Sequence, residues 1–243
     1  MDLLILAAGK GSRIYNNIGI NKCLLKIKKT TLLKKIVNDA KSFKFINKIK
    51  VVVGFKKKKI FQHLNKKKIF YINNKDYAKK EMLHSLLLGL KYCNNDTIIS
   101  YSDIYYSKQI FEIINKKKKN KILLPILKNW KKIWKIRNKN ILEDCESLTY
   151  DKKLILTGIG KKIFSINEPM GQYMGIIFVP KKNIKLFKRL IQKKKNDKKM
   201  HITHLLNFAA ENKFKIQCLP TKKYWYEFDD ITDYNSFKKK NLT

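Results

Sequence analysis

The chain has 243 residues, 44% of them hydrophobic, which suits one α/β domain or two small ones with a proper core. No apolar run reaches the roughly 18 residues of a membrane span, so we expect no membrane insertion and a cytoplasmic protein. The net charge of +38 comes almost wholly from lysine, which recurs in short runs between apolar segments, the pattern of a solvated surface, so we expect no specific nucleic-acid partner.

Strand and helix patterns alternate through the first half of the sequence. Apolar, β-branched runs predict strands at 2–7, 49–54, 69–73, 97–101 and 121–127. Helical patterns lie between them, at about 31–43, 56–65, 80–92 and 107–117. This order predicts a parallel sheet with helices on both faces, whose active site lies at the carboxyl ends of the strands.

The second half continues with shorter elements. We predict strands at about 153–157, 172–179 and 214–219, and an edge strand near 223–228. Helices are predicted at about 181–193 and 201–212. No linker and no internal repeat is evident, so the prediction is one domain over residues 1–243.

The first strand runs directly into a loop with two glycines, Leu6-Ala-Ala-Gly-Lys-Gly-Ser-Arg13, and Lys22 follows nine residues later. Glycine lets the backbone approach a ligand closely, and successive N–H groups in such a turn bind anions. Arg13 can hold phosphate oxygens through two parallel hydrogen bonds, and Lys22 adds a point charge. The loop is not a P-loop, because Gly11 follows Lys10 where a P-loop has Ser or Thr, and it is not a dinucleotide fingerprint, because the third position after Gly11 is Ile14.

Scarce residue types mark further candidate positions. Only three of the 56 basic residues are arginine, so Arg13 and Arg137 stand out as positions that need a planar guanidinium. Among the few acidic residues, Asp103 ends a predicted strand, and alternation places Glu227 and Asp229 on one face. Two carboxylates from distant strands can converge on one Mg²⁺, although Asp103 can also cap a helix.

The strand, the loop and Lys22 together resemble the nucleotidyltransferases that make sugar nucleotides and CDP-alcohols. Their signature is L-A-A-G-x-G-[ST]-R followed by P-K-x-L, whose proline is Asn21 here. The resemblance implies a Rossmann-like, three-layer α/β/α fold with a mostly parallel central sheet, and it makes Arg13 and Lys22 catalytic. The implied nucleotide-binding residues are Leu6, Ala7, Ala8, Gly9, Gly11, Ser12 and Arg13.

Later segments resemble the phosphocholine and phosphonate cytidylyltransferase branch of that family. The resemblance makes Asp103 and Asp229 the ligands of a Mg²⁺ cofactor, with Tyr101 replacing the first aspartate of the usual D-x-D. Gln172 stands where the branch has a glutamate. The implied acceptor-binding residues are Asn74, Tyr77, Glu81, Ser85, Trp134, Arg137, Tyr173 and Trp225.

The resemblance implies a CTP-dependent transfer of CMP. An oxygen of a small phosphate or phosphonate, such as phosphocholine or 2-aminoethylphosphonate, attacks the α-phosphorus of CTP, and pyrophosphate leaves. The attacking oxygen is largely ionised at neutral pH, so no general base is needed. Two alternatives stay open: a sugar-1-phosphate nucleotidyltransferase using UTP, dTTP or GTP, and a non-enzymatic, basic nucleic-acid-binding protein.

Overall fold

A mixed β-sheet forms the centre of the computed structural model, which describes residues 1–64, 69–78, 82–137, 140–194 and 201–240. The strands are β1 (Asp2–Ala7), β2 (Lys26–Ile27), β3 (Thr30–Thr31), β4 (Lys48–Val53), β5 (Ile69–Asn73), β6 (Thr97–Tyr101), β7 (Ile104–Tyr106), β8 (Ile122–Leu127), β9 (Glu146–Tyr150), β10 (Leu156–Lys162), β11 (Gln172–Tyr173), β12 (Ile176–Val179), β13 (Ile216–Thr221) and β14 (Trp225–Glu227). The helices are α1 (Ser12–Ile18), α2 (Leu32–Lys41), α3 (Lys57–His63), α4 (Met82–Leu90), α5 (Gln109–Lys117), α6 (Trp130–Arg137), α7 (Ile141–Asp144), α8 (Lys181–Lys193), α9 (Ile202–Glu211) and α10 (Ile231–Lys239).

The main sheet is mostly parallel in its core, as predicted. Its strand order is β5-β4-β1-β6-β12-β8-β11, with β13 beside β8. Strands β5, β4, β1 and β6 run parallel to one another, and β13 runs parallel to β8. Strand β12 is antiparallel to β6 and β8, and β11 is antiparallel to β8.

The two faces of the sheet carry separate apolar cores, because successive side chains of a strand point to opposite faces. Leu3 and Ile5 of β1 pack with helices α2, α5, α6 and α10. Leu4 and Leu6 pack on the other face with helices α4, α8 and α9. All six residues of β1 are buried, and each fully buried aliphatic side chain contributes roughly 1.5–3 kcal/mol. The three-layer α/β/α architecture is thereby confirmed.

The elements of the second half differ from the prediction, which gave no element at α6, α7 or β9 and placed three others differently. The predicted strand at 172–179 divides into β11, which pairs with β8, and β12, which lies between β8 and β6, because the extended conformation is interrupted at Gly175, whose φ is +70°. The predicted edge strand near 223–228 is β14, which pairs with β7 away from the main sheet. Strand β10 begins later than predicted, because Asp151 closes a turn by accepting hydrogen bonds from the N–H groups of Lys153 and Ile155.

The sheet order brings two predicted functional segments to one edge. Strands β1 and β6 are parallel neighbours, with Leu6 opposite Tyr101. The glycine loop follows β1 and Asp103 follows β6, so both leave the sheet at its carboxyl edge. In the described ranges, none of the helices has the length and apolar character needed to cross a bilayer.

Candidate active site

The glycine loop connects β1 to α1 and contacts Lys22 directly. Gly11 has φ +62°, and a Cβ added to it would lie 2.7 Å from Cβ of Lys22. A side chain at this position would therefore be strained by the backbone and blocked by the lysine. Of the predicted nucleotide-binding residues, Leu6, Ala7 and Ala8 are buried at the end of β1, whereas Gly9 in the loop and Ser12 and Arg13 in the first turn of α1 are exposed.

Lys22 lies between the two carboxylates predicted to bind a metal. Its Nζ is 2.7 Å from Oδ2 of Asp103 and 3.3 Å from Oδ1 of Asp229. Because one nitrogen contacts both oxygens, those oxygens are at most about 6 Å apart. Burial by itself would lower the pKa of Lys22, but Asp103, Asp229 and Glu227 outweigh it and raise that pKa above its usual value. The ammonium is therefore firmly charged.

A small antiparallel ribbon brings Asp103 and Asp229 together. Asp103 lies between β6 and β7, and Asp229 follows β14. Strands β7 and β14 pair with Ile104 opposite Glu227, and the N–H of Phe228 donates to the carbonyl of Asp103 at 3.1 Å. Phe228 is buried in the core while Asp229 faces the cavity, as the alternation predicts. The pairing of two short strands thus sets the distance between the carboxylates.

Arg137 holds Asp229 from the opposite side to Lys22. It is fully buried, and its Nη2 donates to Oδ2 of Asp229 at 2.9 Å. Its Nε donates to Asp233 at 2.9 Å, and Asp144 lies 3.3 Å from its Nη1. The guanidinium also lies 4.8 Å from the ring centroid of Trp134. A phosphate that approached Arg137 would compete with three carboxylates already in contact with it.

The neighbouring carboxyl groups of Asp229 and Glu227 have opposite pKa shifts. Burial tends to raise the pKa of Asp229, but Lys22, Arg137 and Arg13 together lower it below its usual value. Burial raises the pKa of Glu227 well above its usual value, and Asp229 adds to the effect. Asp229 is thus the ionised member of the pair, and Glu227 holds its proton to higher pH.

A cavity of about 370 Å³ joins these groups. Its lining includes the predicted catalytic and metal-binding residues Arg13, Lys22, Asp103 and Asp229, and the predicted acceptor residues Trp134, Arg137 and Tyr173. Further lining residues were not among the predicted site residues, although Tyr101, Gln172 and Glu227 stood in the motifs considered; they are Met82, Tyr101, Asp144, Glu146, Gln172, Gly175, His201, Ile202, Thr203 and Glu227. Residues 201–203 carried no sequence signal, because they reach the cavity only through the packing of α9 on β10.

Three other predicted acceptor residues lie near the end of β1. Asn74 and Tyr77 line a second cavity of about 490 Å³, together with Gly54 and the lysines of 56–59. Nδ2 of Asn74 donates to Oγ of Ser85 at 2.9 Å, and both residues are buried. A Cβ on Gly54 would lie 2.6 Å from Cβ of Tyr77 and 2.8 Å from the carbonyl oxygen of Ala8, so Tyr77 packs beside the glycine loop.

The remaining predicted acceptor residues are Trp225 and Glu81. Trp225 is buried, stacks on Trp134 with ring centroids 6.0 Å apart, and donates from Nε1 to the carbonyl of Met174 at 2.8 Å. It therefore supports Trp134 from within the core. Among the described residues that line the cavity, Trp134 is present and Trp225 is not. Glu81 lies outside the described residues.

The fold and the site together define a nucleotidyltransferase, and the sequence comparisons agree. Residues 3–127 match the model of the MobA-like NTP transferase domain. The chain is 30% identical to the CTP:phosphoglutamine cytidylyltransferase of Campylobacter jejuni over 251 residues, which cover 96% of this chain and 97% of that protein. The chain belongs to the MobA-like NTP transferase family.

Solved structures with the same fold come from several nucleotidyltransferases. The inositol-1-phosphate CTP transferase from T. maritima superposes with a TM-score of 0.75 at 16% identity, covering 99% of this chain and 96% of that one. The CTP:phosphocholine cytidylyltransferase from Streptococcus pneumoniae gives 0.70 at 19% identity, covering 99% and 98%. A UDP-glucose pyrophosphorylase complexed with UDP-glucose gives 0.73 at 16% identity, covering 98% of both chains. At these identities the likeness establishes the fold.

Proposed function

We propose that the protein transfers CMP from CTP to a small phosphorylated or phosphonate acceptor and releases pyrophosphate. The observation that carries this proposal is the convergence of Asp103, Asp229 and Lys22 beside the glycine loop. The choice of CTP is supported by the relative that matches nearly the whole chain, which is a CTP-dependent cytidylyltransferase by name.

The glycine loop and its two cations would hold the triphosphate. Backbone N–H groups of the loop offer hydrogen bonds to phosphate oxygens, and the exposed guanidinium of Arg13 is free to swing onto them. Lys22 would stabilise the negative charge that grows on the phosphate under attack. A positioned donor of this kind stabilises the transition state by roughly 2–4 kcal/mol. Catalysis then consists of positioning and charge neutralisation.

The two carboxylates fit a magnesium ion. Mg²⁺ prefers oxygen ligands and is held by one or two carboxylates together with substrate phosphates. No group of three or more His, Cys, Asp or Glu side chains among the described residues is arranged to hold a metal ion, so a site here would rest on these two carboxylates and the substrate phosphates. Asp103 and Asp229 would hold the ion, which when bound would neutralise charge on the nucleotide and acceptor phosphates.

The acceptor would occupy the part of the cavity lined by Glu146, Trp134 and Tyr173. The relative acts, by name, on phosphoglutamine, and one structural neighbour on phosphocholine. Both compounds pair a phosphate with a cationic nitrogen. A carboxylate and aromatic rings can attract such a cation, so these three residues suit the nitrogen end of the acceptor.

Asn74, Tyr77 and Ser85 are better placed for the nucleoside than for the acceptor. Tyr77 packs against Gly54, and a Cβ on Gly54 would also meet the carbonyl oxygen of Ala8, so Tyr77 lies near the loop where the resemblance puts the nucleotide. The cavity that Tyr77 lines is separate from the one that contains Lys22 and Arg137. We therefore assign this group to the nucleoside side of the site.

A pyrophosphate-release screen tests the proposed function. Each of CTP, UTP, dTTP and GTP is combined with phosphoglutamine, phosphocholine, 2-aminoethylphosphonate or glucose 1-phosphate, in the presence of Mg²⁺. We expect release that requires CTP and one of the first three acceptors, and no release by Lys22→Ala. Release with glucose 1-phosphate and UTP or dTTP would establish the sugar alternative instead. No release in any combination, together with steeply salt-dependent DNA binding, would favour the nucleic-acid-binding alternative.

A further inference from the structure

The ammonium of Lys22 partly neutralises both of the carboxylates assigned to the metal. Its Nζ bridges Oδ2 of Asp103 and Oδ1 of Asp229, and only 14% of its side chain is exposed. The other oxygen of Asp229 is engaged by Arg137. Arg13 also reaches Asp229 Oδ1, at 3.6 Å, but 69% of its side chain is exposed and, within the part of the chain that the structure describes, its ion pair is with Asp229 and not with Asp103. The bridging cation is therefore Lys22.

A divalent cation bound by the same two oxygens would need the place that the ammonium holds. Mg²⁺ binds oxygen at about 2.1 Å, and two cations in contact with the same pair of carboxylates repel each other strongly in a partly buried site. Each of the two cations can therefore bind the carboxylates only at the expense of the other. The lysine must leave the pair before the metal can bind it.

The surroundings of Lys22 offer its ammonium a second anion. The side chain packs against Gly11, so its stem runs along the loop that is assigned to the triphosphate. A four-carbon stem with a single charged end can swing between two anions without moving the backbone. A triphosphate on the loop would supply the replacement charge, and the carboxylates would then be open to a metal.

We propose that Lys22 is a resident counter-ion, which occupies the metal position in the nucleotide-free protein and exchanges with the metal only when a bound triphosphate receives its ammonium. This inference rests on the proposed function, because it takes the triphosphate site from there. It predicts that metal and nucleotide bind with positive coupling, since each favours the same position of Lys22. The metal alone would bind the free protein weakly.

Titration of the nucleotide-free protein with Mn²⁺ alone tests the exchange, with free Mn²⁺ read from its electron paramagnetic resonance signal. Wild type is compared with Lys22→Ala and Lys22→Met, of which the second keeps the aliphatic stem that packs on Gly11. We expect both variants to bind Mn²⁺ at least about tenfold more tightly than wild type, because the competing charge is gone. Lys26→Ala removes an exposed lysine four residues along and should leave the affinity unchanged.

A double variant, Lys22→Met with Asp103→Asn, shows whether the gain belongs to this site, since it should lose the tighter binding. Circular dichroism confirms that each variant is folded. If a folded Lys22→Met protein bound Mn²⁺ no more tightly than wild type, the proposed exchange of Lys22 with the metal would be wrong. This would hold even if the wild type released pyrophosphate from CTP. If no nucleotide gives pyrophosphate, the proposed function fails on its own evidence, while the Mn²⁺ titration still reports on Lys22.

Discussion

Nη2 of Arg137 donates to Oδ2 of Asp229 at 2.9 Å, and this contact leaves Oδ1 of the same carboxylate facing Lys22. The orientation is reinforced by Asp233, which accepts from Nε of Arg137 and from the backbone N–H of Asp229. A buried arginine thereby determines which oxygen is presented to the cavity. Its role in the structure is to position a site residue.

Arg137→Lys should impair turnover more than it impairs folding. An ammonium keeps the charge but cannot contact Asp229, Asp233 and Asp144 in the geometry of the planar fork. We expect kcat to fall at least about tenfold, with a higher Mg²⁺ concentration for half-maximal rate, because a contact of about 1.4 kcal/mol or more is lost. Arg189→Lys, on the exposed face of α8, is the matched control and should behave as wild type in the same assays.

Arg137→Ala should mainly destabilise the protein. It would leave the carboxylates of Asp229 and Asp233 without their buried partner, a change that costs roughly 3–5 kcal/mol. Denaturant titration measures the free energy of unfolding. A loss below about 1 kcal/mol would show that these carboxylates relax into water at little cost.

Asp103→Asn and Asp229→Asn should each abolish metal-dependent pyrophosphate release. Each variant keeps the size of the side chain but removes the charge that a divalent cation needs. The double variant should be little worse than either single one, because residues that act as a unit are not additive. Asp230→Asn is the control: Asp230 caps α10 by accepting from the N–H of Thr232, and asparagine caps equally well. Comparable activity loss in Asp230→Asn would contradict this division of roles.

Gly11→Ala should displace Lys22. The new Cβ would meet Cβ of Lys22 at 2.7 Å, in addition to the cost of roughly 1–2 kcal/mol for a left-handed backbone with a side chain. Gly19 has nearly the same φ, +65°, with no atom within 4 Å of an added Cβ, so Gly19→Ala reproduces the strain alone. We expect both variants to lose thermal stability, Gly11→Ala more because of the added clash, and kcat to fall only for Gly11→Ala. Equal kcat values would mean that the contact with Lys22 is unimportant.

The metal-free protein should lose stability as pH rises above the usual pKa of a glutamate because of Glu227. Its pKa is raised in the folded state, first by burial and then by Asp229. Above pH 4.5, the usual value, the unfolded chain has released this proton while the folded protein still holds it, so rising pH favours unfolding. Thermal melts in EDTA between pH 5 and pH 8 should show a shallower decline for Glu227→Gln, which has no proton to lose. Parallel curves would contradict the raised pKa.

Tyr77→Ala should separate the two substrates kinetically. Tyr77 packs against Gly54, close to the end of β1, and lines a cavity apart from Lys22, so we expect a higher KM for CTP and little change in the KM for the acceptor. Glu146→Gln, in the cavity with Lys22, should show the converse. Steady-state kinetics with each substrate varied in turn measures both constants. If Tyr77→Ala raised only the KM for the acceptor, Tyr77 would belong to the acceptor-binding part of the site.

The sequence predicted the parts of the site that follow directly from strand order. The glycine loop and Asp103 come from adjacent parallel strands, and their meeting at one edge is a property of the fold. The partners of Arg137 were not predictable in the same way, because Asp233 lies 96 positions away and meets it only through the packing of α6 on α10. The alternation of side chains along the chain predicted which face Asp229 occupies. It did not predict which strand pairs with β14, since side chains alternate with the same two-residue period in every sheet.

The ribbon of β7 and β14 has a consequence for the order in which the molecule becomes active. The loop and Asp103 belong to the first half of the chain. Asp229 joins them only when β14 pairs with β7, which lies more than a hundred residues earlier in the chain. Closure of such a long loop is costly in entropy, although the cost grows only slowly with length. A molecule in which only the first half has folded would have the glycine loop and Asp103 without Asp229. Under the proposed function, such a half-folded chain would lack one of its two metal-binding carboxylates and would not catalyse the transfer.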